Sequence, residues 1–201
     1  MSVNPLVARF HNLFWELRLG ISTHGIVETG VGDASHYATM RYATINRILD
    51  HLRLRPDDVF IDVGSGKGRV LCCAARSIVR EVVGVEIVPE FCRIAERNAQ
   101  RMRGRKSPIR VYNVNAQQCD YSRGTVVTLF NPFGADTLSA VMGRIEESLQ
   151  AKPRPLRLAY ANPEHDSVIR RLPWLECYDE WSKNNLRIEH SVTFYRSRQS
   201  L

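Results

Sequence analysis

The sequence lacks two features, and each absence excludes a class of protein. The chain has no apolar run of about 18 residues, so a transmembrane helix is not expected. Its N-terminus has no basic, then apolar, then small-residue pattern, so a secretory signal is not expected either. What remains is a chain of 201 residues with 44% hydrophobic and 24% charged residues. This composition is typical of a soluble globular protein with one domain and a proper core.

Paired cysteines and metal-binding clusters are also missing. The five cysteines contain no C-x-x-C pair, and Cys72 and Cys73 are adjacent within an apolar segment. An odd number of cysteines without a framework indicates reduced, buried thiols and favours a cytoplasmic location. The histidines, cysteines and acids do not have the spacing of metal ligands, so we expect no metal site.

Lysine is scarce although the chain is basic. Only four of the 28 basic residues are lysine, and the net charge is +7. Such a charge is compatible with an acidic partner such as nucleic acid. The arginines are scattered, however, and their densest cluster, at residues 101–106, falls where a helix is expected to end. Cations at a helix C-terminus are stabilised by the negative end of the helix dipole, which explains the cluster without a nucleic-acid partner. Nucleic-acid binding is therefore kept only as an alternative.

Hydrophobic periodicity predicts helices first and an alternation of strands and helices afterwards. A helix is predicted over residues 4–18, a loop over 20–35 and a second helix over 42–52. The first helix is amphipathic, with helical spacing of Leu6, Phe10, Leu13, Phe14 and Leu17. Five strands are predicted at 59–63, 81–86, 109–114, 126–130 and 156–160, with helices at 69–77, 90–103, 136–149 and 167–172. This alternation predicts a parallel sheet with right-handed crossovers.

The C-terminal part follows a different pattern. Two strand-like runs, 174–181 and 186–195, are joined by residues 182–185 without a helix between them. They predict an antiparallel hairpin at the end of the parallel sheet. We therefore expect an N-terminal helix and lid segment over 1–40 and an α/β domain over 41–201.

A glycine-rich turn follows the first strand and precedes a helix. It contains Gly64, Ser65, Gly66, Lys67 and Gly68. Glycines permit unusual backbone angles and let a ligand approach the main chain closely. The helix N-terminus behind them offers unpaired N–H groups. The sequence therefore predicts a cofactor loop here.

Three details favour S-adenosyl-L-methionine (SAM) over NAD as the cofactor. The glycine spacing is G-x-G-x-G, whereas the dinucleotide fingerprint is G-x-G-x-x-G. Asp62 precedes the first glycine by two residues, where a carboxylate repels a pyrophosphate but can pair with a cationic amino group. Glu86 ends the second strand, 24 residues after Asp62, and can accept hydrogen bonds from ribose hydroxyls. The spacing of a Walker phosphate loop is absent.

These motifs resemble those of a known enzyme class. Residues 62–68 resemble the first motif of class I SAM-dependent methyltransferases, and residues 83–86 resemble their second motif. The similarity covers residues 36–195. Overall, the chain resembles the small bacterial members of this class. It implies a doubly wound, Rossmann-like α/β fold with seven strands, mostly parallel, ending in an antiparallel hairpin.

The resemblance also implies roles for individual residues. Asp62 and the loop backbone would hold the methionine part of SAM, Glu86 the ribose, and Ile87 the adenine. Asn115 and Ala116 stand where the class has an acid followed by a small residue. The amide oxygen of Asn115 is expected to accept the hydrogen bond from the adenine amine instead.

The tetrad Asn131-Pro132-Phe133-Gly134 follows the fourth strand. It resembles the Asn/Asp-Pro-Pro-aromatic signature of amine-modifying methyltransferases, and strand exits of this kind face the ligand. The Asn131 oxygen and the Pro132 carbonyl are expected to orient an acceptor amine, which is what methyl transfer chiefly requires. Phe133 is expected to form a flat wall. The alternative is that Asn-Pro simply turns the chain out of the sheet.

Residues outside the main motifs add further candidates. Residues 36–44 resemble the segment that precedes the first motif in seven-strand protein-lysine methyltransferases. By this resemblance Tyr37 is a candidate for the catalytic site, as a lid over the cofactor; the alternative is an aromatic residue that anchors the N-terminal helix to the domain. His36 is either a proton acceptor or a surface or helix-capping histidine. Asn162 and His165 either line the substrate pocket or begin a helix. The aromatic residues of the first helix that are expected to close over the pocket are Phe10, Phe14 and Trp15.

The sequence thus predicts an enzyme that moves a methyl group from SAM to a nitrogen acceptor. The acceptor is a protein lysine or a small-molecule amine, which the sequence does not separate, and an oxygen or carbon acceptor stays open as well. The alternatives are a nucleic-acid methyltransferase and a non-catalytic SAM-binding module. The oligomeric state stays open, because the first helix suits a dimer contact as well as a lid.

Overall fold

The computed structural model describes residues 5–23, 39–183 and 188–198, with side chains from residue 9 onward. Its helices are α1 (Pro5–Leu19), α2 (Tyr42–Leu52), α3 (Arg69–Ala74), α4 (Pro89–Arg101), α5 (Ala135–Ala151) and α6 (Asp166–Arg170). Its strands are β1 (Val59–Val63), β2 (Glu81–Glu86), β3 (Ile109–Asn113), β4 (Val126–Phe130), β5 (Arg157–Ala161), β6 (Leu175–Trp181) and β7 (Val192–Ser197). No helix in these ranges is both long enough and apolar enough to cross a bilayer.

The seven strands form one sheet in the order β3-β2-β1-β4-β5-β7-β6. Strands β1 to β5 are parallel, whereas β7 pairs antiparallel with both β5 and β6. The prediction of a mostly parallel sheet that ends in an antiparallel hairpin is confirmed. The strand order reverses at β1 and β4, which is the place where open α/β sheets bind their ligands.

The second strand of the hairpin begins later than predicted. It starts at Val192, and not at residue 186, because its register is set by β5, where Ala161 pairs with Val192. The Ser191 carbonyl accepts a hydrogen bond from Asn162 N (2.9 Å) just outside this pair. Helix α3 is shorter than predicted and ends at Ala74, after which Ser77 N bonds back to the Ala74 carbonyl.

Two apolar clusters cover the two faces of the sheet. Side chains alternate along β1, so Phe60 packs with α2 and α3, whereas Ile61 and Val63 pack with α5. All five residues of β1 are buried, as expected for a central parallel strand covered on both faces. This burial fixes the end of β1, and with it the start of the glycine loop.

The apolar stripe of helix α1 does not face the core. The residues of its apolar stripe are 49–71% exposed: Phe10, Leu13, Phe14 and Leu17. The buried residues are instead Glu16 and Leu19, while Trp15 stacks on Tyr42 with ring centroids 5.9 Å apart. The expectation that Phe10 and Phe14 close over the cofactor pocket is therefore not met in this structure. The division of the chain at residue 40 stays a prediction.

Candidate cofactor and acceptor site

The candidate site lies where the parallel strands end. Asp62 lies near the end of β1, Glu86 ends β2, and Asn131 and Asn162 follow β4 and β5. Carboxyl ends of parallel strands share one edge of a sheet, so these side chains belong to the same edge. The predicted acids and the predicted tetrad are thus brought together.

The glycine loop is wound in the left-handed backbone region. The φ angles of Gly64, Gly66 and Gly68 are +74°, +53° and +83°. Gly64 N and Ser65 N both donate to the Val85 carbonyl, at 2.9 and 3.1 Å. Such positive angles are readily available only to glycine, so the loop needs its glycines for the backbone alone.

Close contacts also require the glycines. A Cβ atom added at Gly64 would lie 2.5 Å from Cβ of Pro132, so the cofactor loop touches the Asn-Pro tetrad directly. A Cβ added at Gly84 of β2 would lie 2.7 Å from Oγ of Ser65. The Ser65 side chain is therefore buried against β2, and its hydroxyl has no hydrogen-bond partner among the described residues.

Asp62 is a buried carboxyl group. Only 4% of its surface is exposed, and Thr128 Oγ1 donates a 2.6 Å hydrogen bond to its Oδ1. The pKa of Asp62 is raised to about 7, chiefly by burial; the hydrogen bond from Thr128 lowers it and the neighbouring Glu86 carboxylate raises it. Asp62 is therefore protonated in a large fraction of molecules at neutral pH.

Glu86 is the second buried acid, and it holds the loop. Its Oε2 accepts a hydrogen bond from Gly66 N (2.7 Å), and its Oε1 accepts one from Val88 N (2.9 Å). Burial raises the pKa of Glu86, while these backbone bonds oppose the rise. In the part of the chain that is described, no cationic side chain contributes to the pKa shift of either Asp62 or Glu86.

The raised pKa of Asp62 predicts a pH dependence of stability. The folded protein keeps a proton on Asp62 that the unfolded chain releases, so the free energy of unfolding falls as pH rises from about 4 to about 7. The slope contributed by one such group is at most about 1.4 kcal/mol per pH unit. In urea denaturation at several pH values, Asp62→Asn is expected to lose this component. If the free energy of unfolding depended on pH in the same way in both proteins, the raised pKa would not belong to Asp62.

The acceptor side is built around Asn131. Its φ is +38°, and Tyr160 Oη donates a 3.1 Å hydrogen bond to its Oδ1. The next strand exit repeats this geometry, because Asn162 has a φ of +49° and Phe130 pairs with Ala161 immediately before the two asparagines. Two left-handed Asn-Pro exits therefore lie next to each other.

Phe133 lies elsewhere than predicted. It is 8% exposed and belongs to the apolar cluster under α5. Its ring therefore anchors the tetrad in the core and offers little surface as a wall for a substrate. Pro132 is half-buried and contacts the glycine loop as described above.

The residues assigned to the adenine are partly in place. Ile87 is 38% exposed directly after Glu86, as an apolar contact for a flat ring requires. The Asn115 Oδ1 atom accepts a hydrogen bond from Gln117 N (2.9 Å) and so caps a short 3₁₀ turn. The Ala116 carbonyl accepts one from Tyr121 Oη (2.8 Å).

Two of the other predicted residues lie outside the described ranges, and two lie next to Tyr160 at the end of β5. His36 and Tyr37 lie outside the described residues. His165 directly precedes α6 and donates its backbone N–H to Tyr160 Oη at 3.4 Å, as a residue at a helix start does. The Asn162 amide donates to Glu164 Oε1 (2.9 Å).

Sequence reasoning missed three residues that hold the site. Thr128 and Tyr160 bind Asp62 and Asn131 as described, and Arg69 joins the loop helix to α1. Thr128 could have been recognised from the sequence, because it is the one polar residue of the apolar strand β4. Its Cα partner in β1 is Asp62. The other two had no comparable signal.

Comparisons with known proteins agree with the fold. The family described as "Histone methylation protein DOT1" matches residues 30–129. A protein-lysine N-methyltransferase of Saccharolobus islandicus is 36% identical over 89 residues, which cover 43% of this chain and 53% of that protein. An H3 lysine-79 specific histone-lysine N-methyltransferase of Cryptococcus neoformans is 34% identical over 73 residues, covering 35% of this chain and 11% of that protein. The chain thus spans about half the length of the first relative and about a tenth of the second.

The fold is also that of a solved methyltransferase structure. An RNA methyltransferase from Salinibacter ruber, in complex with S-adenosyl-L-homocysteine, superimposes with a TM-score of 0.60. The sequence identity is 21%, and the match covers 82% of this chain and 96% of that one. The sheet order and this similarity show that the chain has the class I, Rossmann-like fold found in SAM-dependent methyltransferases.

Proposed function

We propose that this protein binds SAM at the carboxyl edge of β1 and β2 and transfers its methyl group to a nitrogen acceptor. One observation carries the proposal. Two buried acids, Asp62 and Glu86, flank a left-handed glycine loop, and no cation of the described chain compensates them. A ligand with a cationic end and neutral hydroxyls suits such a site, whereas a pyrophosphate would be repelled by both acids.

Each part of the ligand has a candidate partner. Asp62 would pair with the amino group of the methionine part, and that cation would return the Asp62 carboxyl to its charged form. Glu86 would accept hydrogen bonds from the ribose hydroxyls with the lone pairs that Gly66 N and Val88 N leave available. Ile87 would pack on the adenine, and Asn115 has a second lone pair on Oδ1 for the adenine amine.

When bound, SAM supplies an activated methyl group on a sulfonium, so the chain's own residues need only align the acceptor. Tyr160 Oη occupies one lone pair of Asn131 Oδ1 and holds the amide in place. The other lone pair is available to accept an N–H of the acceptor amine. The Pro132 carbonyl is a second candidate acceptor, so two hydrogen bonds would aim the nitrogen lone pair at the methyl group.

Protein lysine is the acceptor that the relatives favour. The Saccharolobus islandicus and Cryptococcus neoformans proteins are both named lysine methyltransferases, and the matched family is named for histone methylation. A nucleic-acid base is the second candidate, supported by the net charge of +7 and by the fold shared with an RNA methyltransferase. A non-catalytic SAM-binding module would have no use for the Asn131–Tyr160 arrangement.

We also propose a cytoplasmic location. All five cysteines are free thiols, and four of them are buried. Burial raises the pKa of the Cys72 and Cys73 thiols to about 12, which keeps both protonated and unreactive. Unpaired thiols of this kind are typical of a reducing compartment.

Calorimetric titration with S-adenosylhomocysteine tests the cofactor assignment. We expect micromolar binding by the wild-type protein and a loss on the order of 100-fold in Glu86→Ala, because hydrogen bonds to a charged group are worth about 1.5–3 kcal/mol each. Glu147→Ala, at an exposed acid of α5, is the control and should bind like the wild type. No binding by folded wild-type protein at millimolar ligand would refute the proposal.

A second experiment tests whether Asn131 orients the acceptor. Asn131→Ala is expected to bind S-adenosylhomocysteine within about twofold of the wild type. Its turnover should be about 10- to 100-fold lower, because only the acceptor loses a hydrogen bond. Turnover is followed as S-adenosylhomocysteine released with lysine-containing proteins and, separately, with RNA. Asn131→Asp keeps an acceptor oxygen and should recover part of the rate. Equal rates for wild type and Asn131→Ala on the true acceptor would show that the tetrad only turns the chain.

A further inference from the structure

Acidic partners neutralise some arginines of this protein and leave others without one. On the sheet and on α5, Arg110 pairs with Glu81, Arg157 with Asp58, and Arg144 with Glu147. By contrast, no carboxylate within the described ranges forms an ion pair with five exposed or half-buried arginines: Arg18, Arg76, Arg101, Arg103 and Arg105. Other exposed arginines of the described ranges, such as Arg53 and Arg55, also form no ion pair, so what distinguishes these five is that they lie together.

These five arginines lie on one surface. Arg103 N donates to the Leu19 carbonyl (2.8 Å), which joins the end of α4 to the end of α1. Trp15 of α1 has Arg18 over its ring at 5.5 Å and Arg76, from the segment after α3, at 5.0 Å. We call this region the α1–α4 surface; it comprises Arg18, Arg76, Arg97, Arg101, Arg103, Arg105 and the exposed residues of α1.

A cavity of about 300 Å³ opens on the α1–α4 surface, and cations line it. The lining residues are Ser22, Lys67, Ile94, Arg97, Asn98 and Arg101. Asn98 is fully buried and donates to the carbonyls of Ser22 and Lys67, both at 2.9 Å, so its amide makes a rigid floor. Arg101 Nη2 donates to Asn98 Oδ1 at 2.8 Å, which holds one guanidinium in place at the cavity.

Acidic groups are few at this cavity. The carboxylate nearest to Arg97 is Glu90, whose Oε1 lies 3.8 Å from Arg97 Nη2 and whose Oε2 is already paired with Arg93 at 2.7 Å. Guanidinium forks match phosphate oxygens in shape and charge. The chemistry that fits this cavity is therefore an anionic group of phosphate size.

Exposed aromatic rings accompany the cations. Phe10 and Phe14 are 71% and 55% exposed, and they follow each other at a spacing of four residues on α1, with Arg18 four residues further on. Residues at this spacing lie on one face of a helix. Proteins hold single-stranded nucleic acids with cationic side chains that bind the phosphates and with nearby aromatic side chains on which the unpaired bases stack.

We propose that the α1–α4 surface binds single-stranded nucleic acid, with a backbone phosphate in the Lys67–Arg97–Arg101 cavity and bases on Phe10 and Phe14. A second copy of the chain is a poor occupant, because two surfaces of like charge repel each other. Lys67 of the glycine loop lines one side of the cavity, whereas Arg97 and Arg101 lie in the last turns of α4, which runs from the carboxyl end of β2 back toward the start of β3. The proposal uses neither Asn131 nor Pro132, so it does not depend on which acceptor is methylated.

Fluorescence anisotropy with a labelled single-stranded RNA of about 20 nucleotides tests the proposal. Binding is expected at low salt. Each neutralised phosphate contributes about −0.7 to the slope of log affinity against log salt, so the cavity phosphate and two more held by the exposed arginines of this surface predict a slope near −2. Arg101→Glu should weaken binding at least about tenfold. Arg144→Glu is the matched control, because it changes the net charge equally on α5, and it should weaken binding less than about twofold.

A second pair of substitutions separates stacking from charge. Phe10→Ser with Phe14→Ser is expected to weaken RNA binding severalfold and to leave the salt slope unchanged, because no phosphate contact is lost. All variants should bind S-adenosylhomocysteine like the wild type, which distinguishes failure here from failure of the proposed function. Equal effects of Arg101→Glu and Arg144→Glu would overturn the proposal. So would tighter binding to anionic lipid vesicles or to an acidic polypeptide than to RNA.

Discussion

Replacing Arg69 with methionine is expected to lower the free energy of unfolding by about 3–5 kcal/mol, the usual cost of removing one partner of a buried ion pair. The guanidinium of Arg69 lies 3.1 Å from Glu16 Oε1, and both side chains are only 4% exposed. It also donates to Thr23 Oγ1 (2.7 Å) and to the Met40 carbonyl (2.9 Å). Methionine keeps an apolar side chain of similar length but removes the guanidinium that pairs with the buried Glu16 carboxylate.

Urea denaturation measures this loss, and two further variants interpret it. Arg144→Met breaks the exposed pair with Glu147 and should cost less than about 1 kcal/mol. The double variant Arg69→Met with Glu16→Leu removes both charges and should be more stable than Arg69→Met alone. A loss below about 1 kcal/mol in Arg69→Met would mean that α1 is not fastened to the rest of the protein through this pair.

The second large effect is expected at Gly64. Gly64→Ala places a Cβ 2.5 Å from Pro132 in a residue whose φ is +74°. The left-handed conformation costs about 1–2 kcal/mol for alanine, and overpacking adds about 1–3 kcal/mol. The loop can escape the overlap only by moving, so we also expect affinity for S-adenosylhomocysteine to fall at least about 100-fold.

Gly104→Ala is the matched control for Gly64→Ala. Gly104 has nearly the same φ, +72°, but nothing lies within 4 Å of an added Cβ. This variant should show the strain of the left-handed conformation without the overlap, and cofactor affinity should not change. Thermal unfolding and calorimetry on both variants separate the two causes. Equal losses in the two proteins would show that the contact with Pro132 contributes nothing.

The sequence predicted the parts of this protein that depend on neighbouring residues. Strand β1, the glycine turn after it and the acid at the end of β2 are local patterns, and the structure has them where the spacing placed them. The half-buried turn at Asn131 and Pro132 was predicted from a local pattern as well. Local signals therefore located both ends of the candidate site.

Contacts between distant segments were beyond the sequence. The partner of Glu16 is 53 residues away, so the sequence did not show that Glu16 and Leu19 are the residues of α1 that face the core. The start of β7 depends on its register with β5, and the burial of Phe133 depends on how α5 packs. Periodicity reports which residues share a face, but it does not report what covers that face.

The contact between Gly64 and Pro132 makes the cofactor loop and the acceptor tetrad share one wall. A displacement of either loop is therefore transmitted to the other across a few ångströms of packed atoms. Cooperativity between two ligands is reciprocal, so an acceptor that tightens the grip on the cofactor must itself be held more tightly, by the same factor, once the cofactor is bound. If the proposed function holds, the cofactor and the acceptor are thus expected to bind interdependently.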